Sequence, residues 1–223
     1  MGRSAEERRA DLVELYKELH ADHGCPLKAG RTQIVFGMGN ADAELMFVGE
    51  APGRDEDLQG KPFVGRAGQL LDQLLGEIGM ERSTVFIANV LMCRPPGNRD
   101  PLPEEIEECK PYLMRKIELI EPRMICTLGN FATKLITGSP TGITRVCGRP
   151  QRREIAGLDM TVYPLFHPAA ALRSTGTLDQ LRAHIAQIPA LLEELRAAQS
   201  TEDEPDPVAA GAPPPDPQLG LFG

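Results

Sequence analysis

Four short apolar runs punctuate the chain: Leu45–Val48 closed by Gly49, Val85–Ala88 closed by Asn89, a run to Leu128 closed by Gly129-Asn130, and Met160–Phe166 closed by His167-Pro168. A brief apolar run bounded by turn-forming residues has the pattern of a buried strand. The runs predict strands over 44–48, 85–90, 123–128 and 160–166, with one more short strand over 32–36. Between them, apolar residues recur every three or four positions, as one face of a helix requires. Leu12, Leu15, Tyr16 and Leu19 predict a helix over 4–20, and Leu70, Leu71, Leu74, Leu75 and Ile78 another over 67–79. Pro101 and Pro103, with Glu104 and Glu105 behind them, mark a helix start, and Ile106, Cys109, Leu113, Ile117 and Ile120 give its buried stripe. A short helix over 131–137, a hairpin-like region over 141–157 and a last helix over 177–197 complete the pattern.

Strands alternating with helices predict a parallel sheet covered on both faces. The expected fold is therefore α/β, a three-layer α/β/α sandwich around a four-stranded, mostly parallel central sheet. Residues 1–199 make one folded domain on this reading. Residues 200–223 are rich in Pro, Ala and acids, bury too little to fold, and are expected to form a disordered tail.

Net charge is −8, but five of the acids (Glu202, Asp203, Glu204, Asp206 and Asp216) lie in the tail, which leaves −3 for the rest. A near-neutral body is compatible with a local basic patch, so charge does not exclude DNA. No run approaches the ~18 apolar residues of a membrane span. The charged start, Ser4-Ala5-Glu6-Glu7-Arg8-Arg9, has no apolar leader. The expectation is a cytoplasmic protein with no membrane partner, whose five cysteines stay reduced. Cys126 falls inside a strand and belongs to the core, and Cys147 is ambiguous. Cys25, Cys93 and Cys109 sit in or beside Pro-containing loops, where they serve either as buried small hydrophobes or as metal ligands.

In an open α/β sheet, ligands bind at the carboxyl ends of the strands. The turn after the first central strand, Gly49-Glu50-Ala51-Pro52-Gly53, therefore places Glu50 and Glu56 at a mouth where chemistry is expected. A plain loop capped by acids is the alternative.

Several stretches then coincide in one order: Gly49-Glu50-Ala51-Pro52-Gly53 with Glu56-Asp57, Gly60-Lys61-Pro62-Phe63-Val64-Gly65-Arg66-Ala67-Gly68, Ala88-Asn89-Val90 with Cys93-Arg94-Pro95-Pro96, and Phe166-His167-Pro168-Ala169. Together, across about residues 25–195, they resemble the iron–sulfur uracil-DNA glycosylases of family 4. The resemblance implies hydrolysis of the N-glycosidic bond of deoxyuridine in uracil-containing DNA, the first step of base excision repair, by a monomer. It implies that Phe63 stacks on the extruded base and that Asn89 reads its edge. His167 would stabilise charge on uracil O2, and Gly49 and Ala51 would keep backbone close to the base. Glu50 or Glu56 would position water or support the sugar cation, since Ala51 stands where the best-known branch of the superfamily has Asp. Leu172 and Arg173 resemble a loop that enters the minor groove. The resemblance also implies a 4Fe–4S cluster. Cys25, Cys93 and Cys109 match three of its ligands, and Asp22 stands where the fourth cysteine is usual. The competing reading is a non-catalytic iron–sulfur DNA-binding module. The chain ends in Gln218-Leu219-Gly220-Leu221-Phe222, which resembles the peptide that docks on the bacterial sliding clamp through residues such as Gln218, Leu219, Leu221 and Phe222.

Overall fold

In the computed structural model, which describes residues 3–21 and 24–202, the four apolar runs become β2 (Leu45–Gly49), β3 (Phe86–Asn89), β4 (Met124–Leu128) and β6 (Leu158–Leu165). They lie side by side in the order β3-β2-β4-β6, all parallel. Every residue of β2, β3 and β4 is buried, as strands covered on both faces must be. Two antiparallel edges widen this core to six strands: β1 (Met38–Gly39) beside β3, and β5 (Gln151–Ile155) beside β6.

The pleat sorts each strand's side chains onto two faces. Met46, Val48, Phe86, Ala88, Ile125 and Val162 pack into one core, against α1 (Ala5–Ala21), α4 (Pro103–Ile120) and α5 (Asn130–Thr137). Leu45, Phe47, Ile87, Met124, Cys126 and Tyr163 pack into the other, against α3 (Arg66–Glu77), α8 (Thr175–Ile185) and α9 (Ile188–Glu202). This is the expected three-layer α/β/α arrangement, with a sheet larger by two edge strands than the four-stranded core the sequence predicts.

Four local departures have physical causes. Residues 32–36 form no strand: they begin with a bend at Thr32 and Gln33. Val35 makes a single bond to Met92 O (2.8 Å), and pairing begins only at Met38, between Gly37 and Gly39, both at positive φ. The acidic turn after β2 contains a helix, α2 (Arg54–Gln59), whose first turn is acidic and is capped by Glu56. In the hairpin region, a single turn, α6 (Ile143–Val146), precedes β5. The last predicted helix is split into α8 and α9, and Pro189, which has no N–H to donate to the preceding turn, falls in the first turn of α9, where none is needed. Tyr16, placed on the buried stripe of α1 by spacing, is 44% exposed and packs on His20 and the edge of Phe36. α9 runs to Glu202, past the predicted domain boundary at 199. Asp22 and the terminal peptide Gln218–Phe222 lie outside the described residues. None of the described helices is long and apolar enough to cross a membrane.

Candidate active site

The strand order changes direction beside β2: the chain goes from β2 to β3 on one side and to β4 on the other. Ligand sites in open α/β sheets form at such a switch point. At the carboxyl ends here, Gly49 closes β2 in register with Asn89 closing β3, and His167 follows β6 to cap α7 (Pro168–Ala171). A cavity of about 180 Å³ opens there, lined by Glu50, Ala51, Phe63, Asn89, Arg99 and His167 among others. A larger cleft of about 710 Å³ lies at the opposite ends of the strands, between Glu44, Arg123 and Asp159. Several of its charged side chains pair with one another, Arg123 with Glu44 and Arg8 with Glu121, although one terminal nitrogen of Arg123 is buried without a partner. Because this cleft lies at the amino ends of the strands, where ligand sites of open α/β sheets do not form, we place the chemistry in the smaller cavity.

Phe63 is 5% exposed and sits in the left-handed region, φ +53°, which a bulky side chain adopts only when its surroundings hold it there. Three contacts do so. The carboxylate of Glu56 accepts from Val64 N (2.9 Å) and Gly65 N (2.8 Å). Gly68 packs under the Phe63 carbonyl, where a Cβ would come within 1.7 Å of the oxygen. Arg82 donates to the carbonyls of Pro62 (2.9 Å) and Phe63. The ring then stacks on His167, 5.7 Å between centroids at 28°.

Asn89 is 2% exposed, and its Oδ1 is buried with no hydrogen-bond partner. Such an orphan costs ~1–3 kcal/mol. Gly49 is what lets the amide and the ring approach: a Cβ there would meet Asn89 Oδ1 at 2.4 Å and Phe63 Cζ at 2.5 Å. Backbone, amide and aromatic edge thus converge on one point of the cavity.

His167 Nδ1 accepts from Ala169 N (3.1 Å). In the neutral ring that leaves Nε2 as the N–H donor. Burial pushes the imidazole pKa down to about 4, against a smaller upward pull from Glu56, so the ring is neutral at physiological pH.

The two acids separate in role. Glu56 accepts from three backbone N–H groups, adding Gly53 N (3.1 Å) to the two above. Its oxygens hold the two loops that frame the cavity. Glu50 lines the same cavity half-exposed, with its carboxyl raised by burial first and by Asp100 second. Leu172 is 41% exposed just past α7, and Arg173 beside it is exposed too. Arg99, a cavity residue to which the sequence reading assigned no role, is held in a 2.5 Å ion pair by buried Glu105. Pro95 and Asn98 also line the cavity from the loop after Cys93. Pro95 lies in a stretch that carries the family resemblance but was given no role there, and Asn98 follows just after it.

None of the five cysteines is in a disulfide. Cys25, Cys93 and Cys109 are buried together, and the thiols of Cys93 and Cys109 each hydrogen-bond with Cys25, which with burial raises both well above the ordinary thiol. Arg31 donates to Cys93 Sγ at 3.1 Å. Converging thiols are soft donors of the type that iron–sulfur ligation uses, but here the hydrogen bonds to Cys25 and burial outweigh the pull of Arg31 and favour the protonated thiols. Among the described residues no group of three or more His, Cys, Asp or Glu side chains has the spacing to hold a metal ion. Asp22 and His23 lie outside that set. Cys126 is core, as its place in β4 requires, and Cys147 lies 3.5 Å from His184 Nδ1, away from the other three.

Residues 36–196 match the Uracil DNA glycosylase superfamily. The type-4 uracil-DNA glycosylase of Archaeoglobus fulgidus is 48% identical over 165 residues, 72% of this chain and 83% of that protein. The type-4 enzyme of Thermotoga maritima is 42% identical over 195 residues, 86% of this chain and 95% of that one. A type-5 uracil-DNA glycosylase of Pyrobaculum aerophilum is 30% identical over 155 residues, covering 63% and 67%. With the switch-point cavity, the matched superfamily and type-4 relatives aligned over most of their length, the chain belongs to the uracil-DNA glycosylase superfamily, in its type-4 branch.

Proposed function

We propose that this chain excises uracil from DNA by hydrolysing its N-glycosidic bond, and that the cavity at the ends of β2, β3 and β6 receives the extruded base. The observation that carries the reading is the orphaned, buried Oδ1 of Asn89 in a cavity that also holds Phe63 and His167. Uracil supplies what the amide lacks: its N3–H donates to Oδ1, and its O4 accepts from the amide nitrogen. Cytosine reverses both groups, so one fixed amide discriminates between them. A volume of about 180 Å³ suits a single ring and falls below the ~300–1,000 Å³ of pockets for larger ligands. The base must leave the helix stack to reach it. On this reading Leu172 fills the vacated gap and Arg173 follows it into the minor groove, and the exposure of both supports it.

When the glycosidic bond breaks, negative charge gathers on uracil O2. Neutral His167, with its proton on Nε2, donates there without first losing a charge. A preorganised donor of this kind is worth ~3–4 kcal/mol in a dry site. Glu50, rather than the fully engaged Glu56, orients water or supports the sugar cation. The test is incubation with a uracil-containing oligonucleotide followed by alkali. Strand cleavage at the uracil supports the reading. Binding without release would favour a non-catalytic iron–sulfur module.

The cofactor of this reading is a 4Fe–4S cluster held by Cys25, Cys93 and Cys109, with Asp22 as fourth ligand. Held there, it would tie the loop after α1 to both ends of the segment 93–109, which walls the cavity through Pro95, Asn98 and Arg99. No electron transfer is needed. Protein purified without oxygen is expected to be brown and to contain iron, and Cys109→Ala to lose colour and iron together. Colourless, iron-free wild type would remove the cofactor from the account.

The terminal peptide is the proposed contact with the bacterial sliding clamp, through Gln218, Leu219, Leu221 and Phe222. Its support is the sequence likeness alone. Deleting 216–223 is expected to abolish clamp binding in a pull-down or by surface plasmon resonance, while excision from free oligonucleotides stays unchanged. Equal clamp affinity after the deletion would refute the contact. We further propose that the enzyme acts as a monomer in the cytoplasm.

A further inference from the structure

We infer that Arg82 is a positioning residue for base excision: it fixes the Phe63 platform and ties it to the strand that presents Asn89. The inference rests on the excision reading above. Arg82 occupies the turn that leads into β3, four residues before Phe86, and β3 ends in Asn89. Its guanidinium uses three faces at once. Nε donates to Asp72 Oδ1 on α3 (2.5 Å), one terminal nitrogen to Pro62 O (2.9 Å) and the other to Phe63 O. A planar, always-charged fork is the side chain that can hold two successive carbonyls in one plane, and lysine cannot reproduce it.

Those carbonyls flank the residue that most needs holding. Phe63 has φ +53°, outside the comfortable range of an aromatic residue, and its ring orientation follows from that backbone. Glu56 restrains the loop from its far side, at Val64 and Gly65. Arg82 restrains it from the near side. Asp72 aligns the guanidinium from a third element, so platform, reader strand and α3 are locked together. No motif in the sequence marks Arg82 or Asp72, and both lie outside the stretches that carry the family resemblance.

The test compares wild type with Arg82→Met, Arg82→Lys and Asp72→Asn in three assays: kcat/KM for uracil release, inhibition by free uracil, and binding to the abasic product strand. Loss of platform geometry is expected to lower kcat/KM at least tenfold in Arg82→Met and to raise the free-uracil inhibition constant by a similar factor. Affinity for the abasic strand, which presents no base, should stay within twofold. Arg82→Lys should recover less than half of the loss on a logarithmic scale, and Asp72→Asn should show a smaller loss of the same kind. Adding Phe63→Ala to Arg82→Met should cost little beyond Phe63→Ala alone, because both act through one ring. Effects that multiply, or that weaken abasic binding as much as uracil inhibition, would overturn the inference. If Arg82→Met does not fold, Asp72→Asn decides by the same criteria, since it leaves the arginine in place. Wild type that releases no uracil would instead overturn the excision reading.

Discussion

Asn89→Ala is expected to reduce kcat/KM for uracil release by on the order of 10²–10⁴ while leaving the protein as stable as before, or more so. The activity loss follows from the two hydrogen bonds that the proposed reading gives the amide with a buried uracil edge, ~1–3 kcal/mol each when their partners are left unmet. The stability result has the opposite sign from most core truncations. In the base-free protein Oδ1 is already buried without a partner. Removing it relieves that penalty, which offsets the packing that the shorter side chain gives up. For a chain of this size each kcal/mol relieved raises Tm by about 2–4 °C. A scan of thermal unfolding beside the kinetic assay checks both halves. A variant that loses activity and also several degrees of Tm would show that Asn89 holds the fold rather than the base.

The second large effect is at His167. His167→Ala is expected to lower kcat by roughly 10²–10³, the usual cost of removing one preorganised donor from a site of developing negative charge. The pH dependence follows from burial. The folded-state pKa is about 4 against 6.5 for an unperturbed histidine. On the proposed mechanism the neutral ring is the working form, so its contribution to kcat is expected to be flat from neutral pH downward and to fall only as pH approaches about 4. The same shift links to stability. Between pH 6.5 and about 4 the unfolded chain binds the proton and the folded chain does not, so stability falls as pH falls through that window. At ~1.4 kcal/mol per pKa unit, the loss is on the order of 3 kcal/mol. His167→Ala abolishes this component. Glu50 contributes with the opposite sign: burial raises its carboxyl, so its part of the stability declines as pH rises out of the carboxylate range. A kcat profile that rises as pH is lowered from 7 to 5 would mean that His167 acts as an imidazolium, contrary to the geometry at Ala169 N.

How much of this was legible in the chain depends on whether a signal was local. The buried strands announced themselves because a strand covered on both faces is almost continuously apolar, as Leu45–Val48 is and as Met124–Leu128 is but for Thr127, whose hydroxyl bonds to Thr133. Gly49, Phe63, Asn89 and His167 were legible as motif residues at strand ends or in glycine-flanked loops. The short edge strand Met38–Gly39 was not: a two-residue strand has no period, and its pairing is set by distant Phe86 and Ile87. The role of Glu56 was half legible. A glutamate three residues into a helix is a capping signal, but α2 was hidden in an acid-rich turn, and its bonds to Val64 and Gly65 depend on a loop that folds back. Arg82 was illegible, because nothing near it in sequence shows that it will meet the carbonyls of Pro62 and Phe63. Long-range side-chain to backbone bonds of this kind leave no pattern to read.

One small cavity at the carboxyl ends of the sheet is proposed to receive the extruded base, and every role assigned above depends on it. A crystal structure of the protein after turnover of a uracil-containing strand tests this without intermediaries. Uracil density is expected against the Phe63 ring, with its N3 and O4 edge on Asn89 and O2 toward His167. Uracil bound elsewhere, as in the larger cleft between Glu44, Arg123 and Asp159, with the Phe63 cavity empty, would contradict it.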